Sequence, residues 1–280
     1  MRRIPLSAAA VLAGLCTSGC SRTGPGGAPA PAVSVENAPA SGLDLLQRML
    51  ATYRGRWFKT LTFTQTTTRR GADGAESITT WYESLRQTDG RGTQLRIDIG
   101  DPAAGNGVLY SADSLWVMRG GHLATARPGG NALLPLIEGV YLQPVVRTAE
   151  DLAPAGINLG RTVLTARWND RPVWIAGAAS LADTASPQFW VDVERRVVVR
   201  AILVPAPGAP LMDVRLDSLV PLAGGWLATR CAFFVGGSRV QMEEYHDWAA
   251  NVDLAPGLFD VATWTTAPHW AKPRGPGDRP

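Results

Sequence analysis

The chain is poor in the residues that carry most enzyme chemistry. Of its 280 residues, 3 are histidine and 3 are cysteine. His122, His246 and His269 stand in unrelated segments. Glu244 and His246 have the spacing of half a metal site, but no third ligand accompanies them. Cys16 and Cys20 lie close to the N-terminus. Cys231, in the apolar run Cys231-Ala232-Phe233-Phe234, therefore reads as a small buried side chain with no intrachain disulfide partner. The nucleotide, zinc-protease and serine-hydrolase signatures GxGxxG, GxxxxGK[ST], HExxH and GxSxG are all missing. No catalytic set, metal or cofactor follows from this composition. A basic run is missing too. The positive residues are almost all arginine, interleaved with acids, and two of the +3 net charges are Arg2 and Arg3. A nucleic-acid partner is not indicated. No fixed-period repeat is visible.

What is present begins with an export signature. Met1-Arg2-Arg3 is a positive start, and Ile4 to Leu15 is an alanine-rich apolar run too short to span a bilayer. Thr17-Ser18-Gly19-Cys20 follows and resembles a bacterial lipoprotein lipobox, with threonine where leucine is usual. Cleavage after Ala28-Pro29-Ala30 is the alternative. Twin-arginine export would need Phe-Leu after Arg2-Arg3, which is absent. Residues 1–20 are thus expected to be a signal peptide of lipoprotein type, with Cys20 the lipid-attachment site. Residues 21–40, rich in Gly, Pro, Ala and Ser, are expected to be a flexible tether.

From residue 41 the pattern is that of one folded domain. Ser41-Gly42-Leu43-Asp44 has the form of a capping box, and Leu43, Leu46, Leu50 and Tyr53 follow at helical spacing up to Gly55. The spacing predicts a helix over 43–54. Period-2 segments then predict strands at 59–68, 76–86, 93–99, 108–110, 114–118 and 122–126, separated by Gly- and Asp-rich turns. The alternation stops between Pro128 and Gly160. There Asn131 is a candidate cap, Pro135 and Pro144 punctuate, and Leu133, Leu134, Leu136, Ile137, Tyr141 and Leu142 are spaced for one or two short helices. That insertion is either ordinary core packed on the sheet or a lid over its concave side. Strands resume at 161–168, 172–177, 212–220, 225–235 and 238–248, with a Pro/Gly exit at 253–259. Residues 265–280 are Pro/Gly-rich and expected to be a disordered tail.

Between the resumed strands lies Pro187 to Val204, a hairpin turned by Val193-Glu194-Arg195-Arg196. A charged turn without Gly or Asn favours a four-residue loop with its tip in water. Simple alternation puts Val197, Val199, Ala201 and Leu203 on one face and Val198, Arg200 and Ile202 on the other. Both faces are largely apolar and need cover. Whether Trp190 or Phe189 points toward the insertion is open. The Glu243-Glu244-Tyr245-His246-Asp247 cluster reads as a solvated outer face. Tryptophan is abundant, 10 in all, and Trp57, Trp81, Trp116, Trp168, Trp174, Trp190, Trp226 and Trp248 lie in or beside predicted strands. Aromatics on a curved sheet can fill a core or line an apolar cavity.

The order of export signal, tether, helix, meander, helical interruption, second meander and proline exit resembles the LolA/LolB-like superfamily of periplasmic lipoprotein carriers and receptors. Leu61-Thr62-Phe63-Thr64-Gln65-Thr66, Leu95-Arg96-Ile97-Asp98 with Pro102 and Leu115-Trp116-Val117, Phe189-Trp190-Val191-Asp192 with Val199-Arg200, and Leu258-Phe259-Asp260 carry the likeness. It spans residues 41–264. It implies an α+β fold: a curved antiparallel half-barrel whose concave face is covered by helices. It implies acyl chains of lipids or lipoproteins as partners, held between sheet and helices, each buried methylene contributing about 0.8 kcal/mol. The candidate cavity residues are then Phe63, Trp81, Ile97, Trp116 and Trp190 on strands, with Leu133, Leu134, Leu136, Ile137 and Tyr141 on the insertion. Arg86 stands near the arginine that contacts the lid in the carriers, with Gln87 in place of the proline that follows it there. The expected place is the bacterial periplasm, with the chain tethered to the outer membrane through Cys20. The expected function is non-catalytic binding of an apolar ligand. The alternative is a structural or interaction protein whose concavity is filled by its own helices.

Overall fold

The computed structural model describes residues 37–271, apart from 72, 89–91, 112–113 and 207. The expected signal peptide with Cys20, and the tether up to residue 36, lie outside the described residues. One helix precedes the sheet. In α1 (Gly42–Tyr53) the Ser41 hydroxyl caps the Asp44 N–H, and Asp44 reaches back to the Ala40 N–H. Leu45, Leu46, Met49, Leu50 and Tyr53 form the buried stripe. Leu43, expected in that stripe, is on the solvent side.

Among the described residues, all strands belong to one 13-stranded antiparallel sheet. The first meander is β1 (Thr60–Arg70), β2 (Glu76–Thr88), β3 (Gly92–Ile99), β4 (Gly107–Ser111), β5 (Ser114–Arg119) and β6 (His122–Pro128). The second is β7 (Leu164–Trp168), β8 (Arg171–Ala176), β9 (Gln188–Asp192), β10 (Val198–Leu203), β11 (Met212–Leu222), β12 (Gly225–Val235) and β13 (Ser238–Ala250). Each meander pairs neighbour with neighbour, and they join where β1 pairs with β13. This leaves β6 at one edge of the sheet and β7 at the other. The curved half-barrel that the resemblance implied is the fold observed. Bulges at Thr62/Thr64, Val117/Met118, Val198/Arg200 and Phe233/Phe234 supply local bending and twist.

The segment from β6 to β7 must travel from one edge to the other, and it does so across the inner face. A π turn (Pro135–Gly139), in which the Val140 N–H reaches the Pro135 carbonyl, runs into α2 (Val140–Leu142), and α3 (Val145–Leu152) follows. Asn131 caps the Leu133 N–H, as its side chain predicts. Together with α1 these turns bury Leu133, Leu134, Leu136, Val140, Tyr141 and Leu152 against the inner faces of both meanders in one continuous core.

Which face of the β9–β10 hairpin turns inward is settled by a bulge. Val198 pairs with Val191 and Arg200 with Trp190, so Val199 is the extra residue. Simple alternation therefore fails at that point. Phe189, Val191, Val198, Ala201 and Leu203 face the inner core, whereas Trp190 and Val199 join Val173 and Ile175 in a cluster on the outer face. The four-residue loop is present, with Arg196 at φ 54° and the Asp192 carboxylate accepting from the Glu194 and Arg195 N–H groups. Its tip is not free in water. Arg195 lies over the Trp226 ring, Arg196 over Trp174, and the Tyr53 hydroxyl of α1 donates to the Arg195 carbonyl.

The outer face of the first meander has its own cover, the segment after β13. It turns through Pro256–Phe259 and Val261–Thr263 and buries Leu258, Phe259 and Trp264 against Leu109 and Met118. Its anchor is Arg96, 1% exposed, which makes paired bonds of 2.7 Å to Asp98 and donates to the carbonyls of Leu258 and Trp264 at 2.9 and 2.8 Å. The guanidinium carbon sits 3.8 Å from the Trp264 ring centre. Gly107 admits that ring, since a Cβ there would lie 2.8 Å from Trp264 Cζ2. The segment expected as tail remains in place beyond Thr265: His269 Nε2 lies 3.1 Å from Asp98, and Trp270 donates to Ser84 at 2.8 Å. Polar anchors hold the chain through Ala271 where composition alone suggested disorder, and residues 272–280 lie outside the described residues.

Removing one partner of this buried pair should be severe. Asp98→Ala is expected to cost about 3–5 kcal/mol in chemical denaturation, because it strands Arg96 without a counter-charge. Arg96→Met with Asp98→Leu should lose much less. Equal losses in the single and double variants would show that the pair does not act as a unit.

Candidate functional site

A small cavity of about 60 Å³ lies between the insertion and the second meander, room for a few water-sized groups. Leu133, Ile137, Glu138 and Tyr141 of the insertion form one wall, and Trp57, just after α1, forms another. Val197 and Val198 of the hairpin close one end, and Leu216, Leu219, Trp226, Leu227, Ala228 and Tyr245 of β11–β13 make the floor. The walls are held by aromatic stacking. Trp57 lies flat on Tyr141 with ring centres 3.8 Å apart, and Tyr53 meets both edge-on. Trp57 can sit so low because residue 225 is glycine; a Cβ there would come within 2.7 Å of the indole. The Tyr141 hydroxyl accepts from the Val198 N–H at 3.1 Å, tying the insertion to the hairpin.

Among these apolar groups stands one carboxyl. Glu138, on the π turn, is 5% exposed, and its Oε2 accepts from Trp57 Nε1 at 2.8 Å. Burial pushes its pKa up to about 8, against which the Trp57 bond works. At neutral pH the group is therefore mostly an uncharged acid. A second polar row starts at Tyr245, whose ring stacks on Phe63 and whose hydroxyl donates to Glu243 at 2.8 Å. Gln241 also donates to Glu243, and burial raises that carboxyl to about 7. Burial, then the proximity of Glu243, raises Glu83 well above the usual carboxylate range. Cys231 is fully buried, and burial likewise raises its thiol.

Of the cavity residues expected from sequence, Phe63, Trp81, Ile97, Leu133, Leu134, Leu136, Ile137 and Tyr141 share the inner core. Leu133, Ile137 and Tyr141 line the cavity itself, and Phe63 supports it through Tyr245. Three expectations are corrected. Trp190 is on the outer face, edge-on to Trp168 and under Arg200, because of its register opposite Arg200. Trp116 faces the C-terminal cover on the outer side of the first meander. Arg86 does not meet the insertion: it bonds Gln94 at 2.6 Å and lies 4.3 Å from the Phe259 ring on the outer side. The Glu243–Asp247 cluster is also not a uniformly solvated face; Glu243 turns inward with Tyr245, while Glu244 and His246 are exposed. Sequence reasoning missed Glu138 and Trp57. A lone acid inside the apolar run LLPLIEGVYL was the available signal. Among the described residues no group of three or more His, Cys, Asp or Glu is placed to hold a metal, and no helix is long and apolar enough to cross a membrane.

The raised acids make stability depend on pH with a defined sign. A carboxyl whose folded pKa exceeds its unfolded value stabilises fully below the unfolded pKa and loses that contribution as pH climbs through the folded one. For Glu138 the window runs from its ordinary value of 4.5 to about 8. Denaturation at pH 5 and pH 8 should show the native protein weakening with pH. Glu138→Gln should weaken by at least about 1 kcal/mol less, and equal slopes would contradict a buried neutral acid.

No protein-family model and no curated protein sequence matches the chain. Solved structures do. A domain assigned to outer membrane lipoprotein sorting from Vibrio parahaemolyticus aligns over 80% of this chain and 98% of its own, at 12% identity and TM-score 0.55. A DUF1329 family protein from Desulfovibrio piger aligns over 81% and 100%, at 14% identity and TM-score 0.54. A LolA superfamily protein from Nitrosomonas europaea aligns over 76% and 96%, at 15% identity and TM-score 0.47. At such identities the likeness is one of fold: this chain shares its fold with the Vibrio parahaemolyticus domain and the Desulfovibrio piger protein.

Proposed function

We propose that the protein is a non-catalytic holder of apolar ligands in the bacterial cell envelope, taking lipid or the acyl chains of lipoproteins between the insertion and the inner sheet face. The observation that carries this reading is the cavity under Leu133, Ile137 and Tyr141, lined mostly by apolar and aromatic side chains and covered by a segment rather than by the sheet. The fold supports it, since a structural neighbour is assigned to lipoprotein sorting. The sequence supports the place: an export-type start and a lipobox-like Cys20, whose lipidation would tether the domain to the outer membrane.

The size of the cavity adds a condition. About 60 Å³ takes the end of a chain, not its length. The rest of the inner face is filled by side chains of α1 and the insertion. A whole acyl chain is therefore accommodated by the insertion moving off the sheet. Trp57–Glu138 and Val198–Tyr141 are polar ties from it to other elements, and glycines 129, 130, 156 and 160 flank it. Apolar side chains lifted from the sheet would be replaced there by methylenes of the ligand, so little hydrophobic free energy is lost. The dense packing also favours a second reading, a structural relative whose helices permanently fill the concavity.

Native mass spectrometry of the full chain purified from envelope fractions separates the two. A bound species of lipid mass is expected. Ile137→Trp, which fills the cavity from the insertion side, should remove that species while costing about 1–3 kcal/mol of stability. Protein that carries no lipid and takes up none from vesicles would establish the self-filled reading instead.

A further inference from the structure

We propose that Glu138 determines specificity in this cavity: it hydrogen-bonds the carbonyl of an esterified or amidated acyl chain, and the site excludes free fatty-acid anions. This deepens the ligand-holding reading and rests on it.

The geometry comes first. Glu138 is a polar side chain more than nine-tenths buried, and it lines the cavity directly. Its Oε2 is engaged by Trp57 Nε1. As an acid, Glu138 then has one O–H to donate and only one indole N–H to receive. A carbonyl oxygen is the complement, because it accepts one bond and brings no charge into the apolar surroundings. The acyl chain attached to that carbonyl would continue along Leu133, Ile137 and Leu219, all of which line the same space.

The charges around the cavity decide against the anion. Among the described residues, no lysine or arginine lines it. The groups facing Glu138 are Trp57 from the loop after α1, Tyr141 from its own insertion and, across the space, Tyr245, itself committed to Glu243 on β13. Tyr53 of α1 stands behind Trp57 and Tyr141. The hairpin contributes Val197 and Val198, and its Arg195 lies over Trp226, which is itself a cavity-lining residue. A carboxylate brought here would lose its hydration with no cation in the cavity lining to offset the loss, and burying an unpaired charge is heavily unfavourable. An ester or amide carries the same chain without that penalty. Burial keeps Glu138 itself in the acid form at neutral pH, which the donor role needs.

The test uses the full chain at pH 7, loaded with the neutral fluorescent probe N-phenyl-1-naphthylamine and titrated with methyl dodecanoate, dodecanoate or dodecylammonium. The methyl ester should displace the probe at least about tenfold more tightly than dodecanoate. Glu138→Leu should lose about tenfold for the ester, the size of one hydrogen bond. Glu138→Gln, which keeps a donor and is nearly isosteric, should keep the preference and guards against a variant that simply misfolds. Equal affinity of ester and acid in the native protein, or an unchanged ester affinity in Glu138→Leu, would overturn the role of Glu138 while leaving an apolar holder intact. Tightest binding of dodecylammonium would overturn it in favour of an ionised Glu138 that seeks a cation. If neither the probe nor any amphiphile binds, both this inference and the holder reading fall.

Discussion

The pairing of β1 with β13 governs where every other element can lie. It joins two meanders at their outermost strands in sequence, so the strands nearest the middle of the chain, β6 and β7, end at opposite edges. The peptide between them has to cross the sheet. Crossing over the inner face, it can bury its leucines only by lying on that face, and a curved sheet leaves space there for it and for α1. The insertion is thus not an ornament on a finished barrel. It is a necessary consequence of antiparallel pairing between the two ends of the domain.

Once the insertion spans the concavity, the inner core has two kinds of wall. The sheet is cross-braced by backbone hydrogen bonds along its length. The insertion is held largely by apolar contact and a few polar ties. Apolar contact is non-directional and can be exchanged for other apolar contact at small net cost. Polar ties cannot, and Glu138 and Tyr141 each make one, to Trp57 and to the hairpin. The seam between rigid sheet and exchangeable cover is therefore where the ligand proposed above would enter. The outer face of the first meander is built on the opposite principle: Arg96, Asp98 and the C-terminal segment are joined by directional, fully buried bonds that leave nothing to exchange.

Much of the fold was legible because the signal for it is local. Each of the observed strands was visible as a period-2 segment, and Asn131, Pro135 and Pro144 marked the pieces of the insertion. The hairpin shows the limit. Val197 to Leu203 reads as unbroken alternation, yet the bulge at Val199 reverses which residues face inward, and nothing in a run of valines announces where the extra residue falls. The same limit sent Trp190 and Trp116 to the wrong side, whereas the lid contact of Arg86 came from the resemblance and is replaced here by Gln94 and Phe259. Glu138 and Trp57, 81 positions apart, meet only because the sheet brings α1 and the insertion together.

The sequence by itself determined the set of strands, the place of the helical interruption, the capped first helix and the absence of any catalytic signature, since these depend on side-chain type and spacing over a few residues. The tertiary structure alone decided which face each strand presents, that the segment to Ala271 is anchored by Arg96 and Asp98, and that one buried acid stands in an otherwise apolar cavity. Those features depend on register and on contacts between distant segments. A shift of one residue inverts them without changing any local pattern.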